Sequence, residues 1–444
     1  MALFSFRKPG QTVLTLFAIA IAVGTALLML PVSSAKGGVT PFIDALFTAT
    51  SAVCVTGLTT VDTGTHWSGL GQVVILVLIQ IGGLGIMTAA TVIAVLFARR
   101  LGLKARLALQ TETHALSVAD IRRLVKRIVV FSLACEAVLA AILTLRLWAA
   151  YDEPMPRAAY TGVFHAISAF NNAGFSTYPD NLIGCADDWA FLLPICIAVI
   201  VGGIGFPVIF ELARRWRRPR SWSVLTRITV IMTGALLLLG TVFLLFEEGS
   251  PGGTLAGGPP GAAVLGAFTM SVMARTAGFN IVDMSALSPE ALFSTDILMF
   301  IGGGSAGTAG GIKVTTMGLL AFMVWCEARG GQDVEVGTRR VTSANQRQAL
   351  AVVVLGLTVV VLATFALMAL SHFAFDAVLF EAVSAFATVG LSTGITPEMS
   401  EAGKMVLIML MFLGRLGPLT VASAFALRER PARRRYPEER MIVG

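Results

Sequence analysis

Residues 47–59 read FTATSAVCVTGLT and residues 380–392 read FEAVSAFATVGLS. Two more stretches share their frame: 164–176, FHAISAFNNAGFS, and 268–280, FTMSVMARTAGFN. Aligned on Gly57, Gly174, Gly278 and Gly390, each has a phenylalanine ten residues earlier: Phe47, Phe164, Phe268 and Phe380. Ser51, Ser168 and Ser384 stand six before the glycine; the third copy has Val272 there and Ser271 one place earlier. Thr59, Ser176, Asn280 and Ser392 follow two after it. The aligned glycines lie 117, 104 and 112 residues apart, and a second glycine (Gly82, Gly202, Gly302, Gly414) follows each by 25, 28, 24 and 24 residues. A period of this length exceeds that of solenoid repeats. It fits four copies of one unit around an axis, here residues 1–98, 99–220, 221–328 and 329–444.

The composition says what the unit is made of. The chain has 444 residues, 56% hydrophobic and 13% charged, with a mean hydropathy of +0.81. A soluble domain is about a quarter charged, so this is an all-α membrane protein. Eight apolar stretches are long enough to span a bilayer, near 11–32, 70–98, 126–150, 190–212, 225–246, 292–326, 348–372 and 403–427. The first follows MALFSFRKPG and is read as an uncleaved span rather than a signal peptide, because further spans follow. Four shorter stretches, near 42–56, 158–173, 262–277 and 374–389, end in the aligned glycines and read as re-entrant helices enclosed by protein. Each unit is then span, pore helix, glycine turn, span.

Charge alternates between the loops. Segment 99–127 carries eight Lys/Arg against two acids, 211–227 six Arg against one Glu, and 428–444 six Arg against three Glu. The loops between are acidic or neutral, so both termini are expected in the cytoplasm of a cell-membrane protein. The net charge of +7 follows from that topology, and no nucleic-acid partner is called for. The five cysteines form no metal spacing, the histidines are scattered, and no nucleophile–base order stands out; neither a transition metal, a cofactor nor an enzyme is expected.

The physics of the unit points to a cation. A re-entrant helix directs its C-terminus, with about half a negative charge, toward the membrane centre. Four such ends favour a monovalent cation. In Val55-Thr56-Gly57, Asn172-Ala173-Gly174, Thr276-Ala277-Gly278 and Thr388-Val389-Gly390, small side chains leave carbonyl oxygens free to replace an ion's water shell. Glycine permits positive φ and close approach to the axis. Asp62, Asp180 and Asp283 follow three of the glycines, where they can concentrate cations at the outer mouth or serve as ordinary loop carboxylates.

One span is interrupted. Residues 302–311 read GGGSAGTAGG, six glycines in ten, followed by Lys313. At about 1 kcal/mol per glycine, helix is disfavoured there by roughly 6 kcal/mol, so this one span should break into two half-helices around a loop. A plain kink or a helix-packing surface are the simpler readings; a Walker phosphate loop is excluded because Ile312 separates Gly311 from Lys313. Arg415 replaces the glycine that the first three copies have as Gly83, Gly203 and Gly303. A charge within a span is costly and usually functional. It lies level with the loop and would repel a cation below the aligned glycines, or else pair with an acid such as Glu136. Arg275 is expected to point away from the centre and pair with Glu381, Asn171 and Asn172 to brace the backbone, and His165 to be a packed hydrogen-bonding residue.

The four segments VTGLT, NNAGF, RTAGF and TVGLS, on four tandem M1–P–M2 units, resemble the Trk/Ktr/HKT potassium transporter superfamily, over residues 11–430. With about ten residues before the first span, the chain resembles the eight-span KtrB-type membrane subunits and not the Trk branch with its extra N-terminal helices. The resemblance implies fourfold pseudosymmetry and a selectivity filter, with glycine at all four filter positions going with K⁺ as the transported ion. It implies that 302–312 is an intramembrane gate loop, carried by Gly302, Gly303, Gly304, Ser305, Gly307, Thr308, Gly310, Gly311 and Lys313, and acting with Arg415. It further implies a homodimer and a separate KtrA-type nucleotide-binding ring. A Na⁺-coupled or Na⁺-permeable carrier of the same superfamily is the alternative; a secondary carrier built on inverted repeats is disfavoured because all four copies run in the same orientation.

Overall fold

The computed structural model of the chain describes residues 9–100, 118–256, 260–331, 333–336 and 339–417. The helices fall into four sets along it, each with a longer first helix and a shorter second one that ends just before an aligned glycine. The first set is α1 (Pro9–Leu28), α2 (Phe42–Cys54), a one-turn α3 (Thr63–His66) and α4 (Gly69–Arg100). The second is α5 (Val118–Ala150), α6 (Met155–Phe170), α7 (Trp189–Ile204) and α8 (Phe206–Arg215). The third is α9 (Val224–Glu248), α10 (Pro260–Met273), α11 (Pro289–Phe300) and α12 (Val314–Ala328). A small hairpin, β1 (Glu335–Val336) antiparallel to β2 (Arg339–Arg340), precedes α13 (Ser343–Leu370), α14 (Phe375–Ala387) and α15 (Glu401–Leu416).

The short helices α2, α6, α10 and α14 stand where the four short apolar stretches were expected. Their cores are among the most buried parts of the chain, with Phe47, Phe164 and Phe380 fully enclosed and Phe268 partly so. Each packs within its own set and also against the set before it. Thus α6 contacts α4, α10 contacts α7, α14 contacts α11, and α2 contacts α15. The last contact joins the chain's end to its beginning and carries an ion pair, Lys404 Nζ to Asp44 Oδ1 at 3.0 Å.

The outside of the bundle is apolar. Phe246 on α9 is 75% exposed and Phe365 on α13 is 73% exposed. Exposed apolar surface of this extent on long apolar helices is a lipid-facing surface, and the chain is a multi-pass membrane protein. By length and composition, Arg122–Ala150, Val224–Glu248 and Ser343–Leu370 qualify as spans, and the pair α7–α8 would make a fourth if counted as one. Residues 101–117 of the expected cytoplasmic loop, the last span beyond Gly417 and the basic tail lie outside the described residues.

The third set breaks as its glycines require, between α11 and α12. The expectation of a single broken helix is corrected by a second break, at Gly205. There α7 and α8 meet at 102°. Gly205 has φ of +99°, which an L side chain rarely adopts, and Pro207 at the start of α8 cannot donate to a continuous helix.

Candidate functional site

Each short helix ends in the same backbone turn. A residue one to three places beyond the helix takes a left-handed conformation: Val55 (φ +55°), Asn172 (+59°), Thr276 (+68°) and Thr388 (+51°). Two residues on, the aligned glycines have φ of +97°, +69°, +75° and +100°. Three of the four non-glycine positions are β-branched, for which positive φ costs about 1–3 kcal/mol and persists only where the surroundings enforce it.

The glycines close a ring. A Cβ added to Gly57 would strike the Ala173 carbonyl and lie 3.2 Å from Gly174 Cα. One on Gly174 would meet the Ala277 carbonyl and Gly278 Cα, one on Gly278 the Val389 carbonyl and Gly390 Cα, and one on Gly390 the Thr56 carbonyl and Gly57 Cα. So the four segments meet in one closed ring, and any side chain at a glycine would enter its neighbour's backbone. Among the described residues, no hydrogen bond is donated to the carbonyls of Thr56, Ala173, Ala277 or Val389. The hydroxyls of Thr56, Thr276 and Thr388 are also buried without a partner. The sequence reading counted carbonyls alone; these hydroxyls add further oxygens.

The ring is braced from behind. Ser51 Oγ accepts from Gly57 N–H at 3.0 Å, and Ser384 Oγ accepts from Gly390 N–H at 3.1 Å. Ser168 instead donates to the Phe175 carbonyl at 2.8 Å. In the third copy Ser271 donates to Leu237 O of α9, and the Gly278 N–H turns to Met273 O. Asn171 Nδ2 donates to Gln80 Oε1 (2.9 Å) and Glu136 Oε1 (3.1 Å), and Gln80 Nε2 donates to both Glu136 oxygens. Gln80 was missed in the sequence, although a glutamine within an apolar span is itself a signal of an intramembrane network. His165 is fully buried, with Nδ1 at 2.8 Å from Thr161 O and Nε2 at 3.0 Å from Ser176 Oγ. Asp62 and Asp283 spend part of their acceptor capacity on local turns, at Thr65 and Ser285, while Asp180 is exposed. Among the described residues, no group of three or more His, Cys, Asp or Glu could hold a metal ion.

Two pairings are corrected. Arg275 does point away from the ring, but it donates to Thr233 O (3.2 Å) and Gly302 O (3.1 Å). Glu381 is occupied by its own copy's outer segment: Ser392 Oγ (2.5 Å), Thr393 N (3.1 Å) and Thr396 Oγ1 (2.7 Å). With those lone pairs used, it has no need of a guanidinium. Nor does Arg415 pair with Glu136. It donates to the Thr308 carbonyl and, at 3.3 Å, to Gly82 O.

Gly82 belongs to α4, and Thr308 to the glycine-rich loop, which packs directly against the ring. A bridge between Ile301 and Ile312 closes its base, with Gly302 N–H donating to Ile312 O at 2.9 Å. Gly304 N–H donates to Gly203 O (2.8 Å) and Thr308 N–H to Gly202 O (3.1 Å), which fastens the loop to the end of α7. Thr308 Oγ1 donates to Asn172 Oδ1 at 2.8 Å. A Cβ on Gly302 would lie 3.3 Å from Thr276 Cγ2, and one on Gly310 would strike Thr388 Oγ1. Lys313 Nζ reaches back to Ala309 O (2.5 Å) and Gly310 O (3.3 Å). Ser305 and Thr315 hydroxyls meet at 2.8 Å. Gly303, Gly307 and Gly311 complete the loop, the last with φ of +63°. All of the expected ring and loop residues therefore gather at one centre.

Carbonyls left without donors among the described residues, at the turns of four short helices and beside a loop held by Arg415 and Lys313, fit a membrane cation-transport protein. The family model for the cation transport protein TrkH matches residues 5–433, and the chain belongs to that family. It is 41% identical to the Ktr system potassium uptake protein B of Bacillus subtilis, over 98% of this chain and 97% of that one. It is 40% identical to the protein of the same name from Vibrio alginolyticus, over 94% and 91%. It is 33% identical to the potassium/sodium uptake protein NtpJ of Enterococcus hirae, over 98% and 97%. The crystal structure of the potassium transporter TrkH from Vibrio parahaemolyticus matches with a TM-score of 0.74 at 19% identity, over 96% of this chain and 86% of that one, and shares its fold. These relatives are transporters and not enzymes.

Proposed function

We propose that the chain is the translocation subunit of a potassium uptake system. The observation that carries this reading is the closed ring from Gly57 through Gly174 and Gly278 to Gly390. Four pseudosymmetric copies, with eight spans in all, surround one pore. K⁺ sheds water at the ring and takes oxygens from Val55, Thr56, Gly57 and their counterparts in the other three segments. The C-terminal ends of α2, α6, α10 and α14 add about two negative charges at the inner side.

Residues 302–312 and Arg415 act as the gate. The loop occupies the space beneath the ring, and its carbonyls at 308–310 are held by Arg415 and Lys313. At roughly 8 Å and an effective dielectric near 20, one such cation raises the energy of K⁺ by about 2 kcal/mol. Opening moves loop and arginine together. The positive-inside rule puts both termini in the cytoplasm of the plasma (inner) membrane. The names of the Ktr relatives support a regulatory partner; a KtrA-type ring on that face and a homodimer with one pore per chain complete the reading by family resemblance.

Growth at low K⁺ in cells stripped of their own uptake systems tests the reading: the chain should rescue it, and Gly278→Ser should abolish rescue without loss of protein. Rescue that survives the substitution would refute a backbone filter. The potassium/sodium name of one relative favours a second reading, a Na⁺-permeable carrier. Rubidium and sodium tracer fluxes compared in the same vesicles separate the two.

A further inference from the structure

The second break in the bundle does more than redirect the chain. Helix α8 leaves α7 at 102°, so if α7 crosses the bilayer α8 lies along its surface. Its sequence, FPVIFELARR, is amphipathic in the way a surface-lying helix requires. Phe206 and Val208 are buried, while Arg214 and Arg215 are exposed. The apolar face is anchored by an aromatic cluster, with Phe131 at 5.6 Å from Phe206 and 6.2 Å from Phe210 between ring centroids. Phe131 also contacts Phe170, the last residue of α6 before the second ring segment.

Beyond α8 the chain turns sharply and presents Arg214, Arg215, Trp216, Arg217 and Arg218 around a concavity of about 560 Å³. Trp216 is 63% exposed, and the Arg217 guanidinium sits 4.8 Å from its ring centre. Among the described residues, no carboxylate lines the concavity. The nearest acid in sequence, Glu211, is taken by Ser223 and Thr226 at the start of α9. The other end of α8 abuts the loop. A Cβ on Gly205 would strike the Ser305 carbonyl, and the carbonyls of Gly202 and Gly203 accept from Thr308 and Gly304.

We propose that this arginine–tryptophan concavity binds the phosphate headgroup of an anionic phospholipid, and that the bound lipid holds α8 in the position on which the gate loop docks. Tryptophan beside arginine at the level where a span ends is the composition of a membrane interface, and the missing carboxylate leaves the positive charge for a ligand. Lipid and loop are then ligands of the two ends of one short, rigid helix. Anionic lipid stabilises the docked loop and lowers resting flux. The inference rests on the gate reading given above.

The test uses the purified full chain in vesicles of phosphatidylcholine alone or with phosphatidylglycerol. Resting rubidium flux should be roughly fivefold lower with phosphatidylglycerol, the effect of one arginine–headgroup contact. Brominated phosphatidylglycerol should quench the part of the tryptophan fluorescence that Trp216→Phe removes, and brominated phosphatidylcholine should quench it less. Arg217→Gln with Arg218→Gln should erase both differences, and the two lysine substitutions should keep them. Inorganic phosphate added to phosphatidylcholine vesicles should change nothing. Equal fluxes and equal quenching in the two lipids would overturn the proposal and leave the patch to an acidic protein surface. A chain lacking 304–310 separates the failures. If its flux rises while lipid makes no difference to the full chain, the lipid proposal alone fails; if its flux does not rise, the gate reading fails and this proposal with it.

Discussion

Two adjacent layers of backbone carbonyls lie at the centre of this protein, and the chain treats them in opposite ways. In the ring, the carbonyls of Thr56, Ala173, Ala277 and Val389 receive no donor among the described residues. In the loop beneath, the carbonyls of Thr308, Ala309 and Gly310 are taken by Arg415 and Lys313. Glycine serves both layers: in the ring it is the one residue that fits between neighbouring backbones, and in the loop it prevents a helix. An unpaired carbonyl is costly inside a membrane unless something else pays its desolvation. A cation passing through would do so in the ring. In the loop the protein supplies its own cations, and a passing ion finds the oxygens occupied. Under the proposed function, selection would fall to one layer and obstruction to the next.

The contrast breaks most sharply at the ring. Gly57→Ala places a Cβ against the Ala173 carbonyl at a φ of +97°. Backbone strain alone costs about 1–3 kcal/mol, and the clash must move the neighbouring segment. Rubidium flux into vesicles should fall by about 100-fold or more, the upper end of that strain converted to rate, with the folded yield largely kept. Flux near the parent's would show that the ring does not line the path.

The loop layer should respond in the opposite direction. Arg415→Ala frees the Thr308 and Gly82 carbonyls and removes one cation from beneath the ring. Lifting a barrier of about 2 kcal/mol raises resting flux by roughly 30-fold, and more when 304–310 are also shortened. Unchanged or lower flux in well-folded protein would make Arg415 a structural tether and dissolve the distinction between the layers.

How far these layers could be read from sequence differs too. The ring was legible because its geometry forces residue type: only glycine tolerates both the positive φ and the adjacent carbonyl, so it recurs at fixed spacing with Phe47, Phe164 and Phe380 as buried anchors. The break in the third copy was legible for another reason: six glycines in ten disfavour helix. The break at Gly205 was not, because a single glycine in an apolar run is compatible with helix; the signal was Pro207 two residues later. Partner choice was least legible. The expected Arg275–Glu381 pair follows from opposite charge on neighbouring segments, yet Glu381's lone pairs are filled by Ser392, Thr393 and Thr396, three hydroxyl residues within sixteen of it along the chain. Local hydrogen-bond capacity decided the outcome over long-range charge.

A finer cut separates tether from plug. Thr308→Val keeps the loop's shape and its backbone bonds to α7 but removes the hydroxyl that donates to Asn172 Oδ1 at 2.8 Å. Leaving that buried acceptor unpaired costs about 1–3 kcal/mol in the docked state only. Resting flux should rise by roughly fivefold or more, and K⁺ over Na⁺ preference should stay as it was, because the ring backbone is untouched. A change in preference without a change in flux would mean that loop and ring are one layer and not two.

The smallest effect lies at the outer edge, away from both layers. Asp188 caps α7 by accepting from the Ala190 and Phe191 N–H groups (3.0 and 3.2 Å) and from Arg146 Nε at 2.9 Å. Burial pushes its carboxyl up, but the hydrogen bonds from Arg146 and Tyr151 outweigh burial and hold it below the usual carboxylate range. A carboxyl depressed on folding contributes stability that is present above its unfolded pKa of about 4 and is lost as pH falls through the folded value. Asp188→Asn should therefore lower thermal stability in detergent near neutral pH, by about 1 kcal/mol as for other N-cap losses. The deficit should begin to shrink below about pH 4, as the unfolded chain's carboxyl takes up a proton, and should be lost as pH falls through the lower folded value. Because α7 bears the Gly202 and Gly203 carbonyls on which the loop docks, the same variant should show a slightly raised resting flux at neutral pH. A stability deficit with no change in flux would mean that the loop is held by the ring and Arg415 alone.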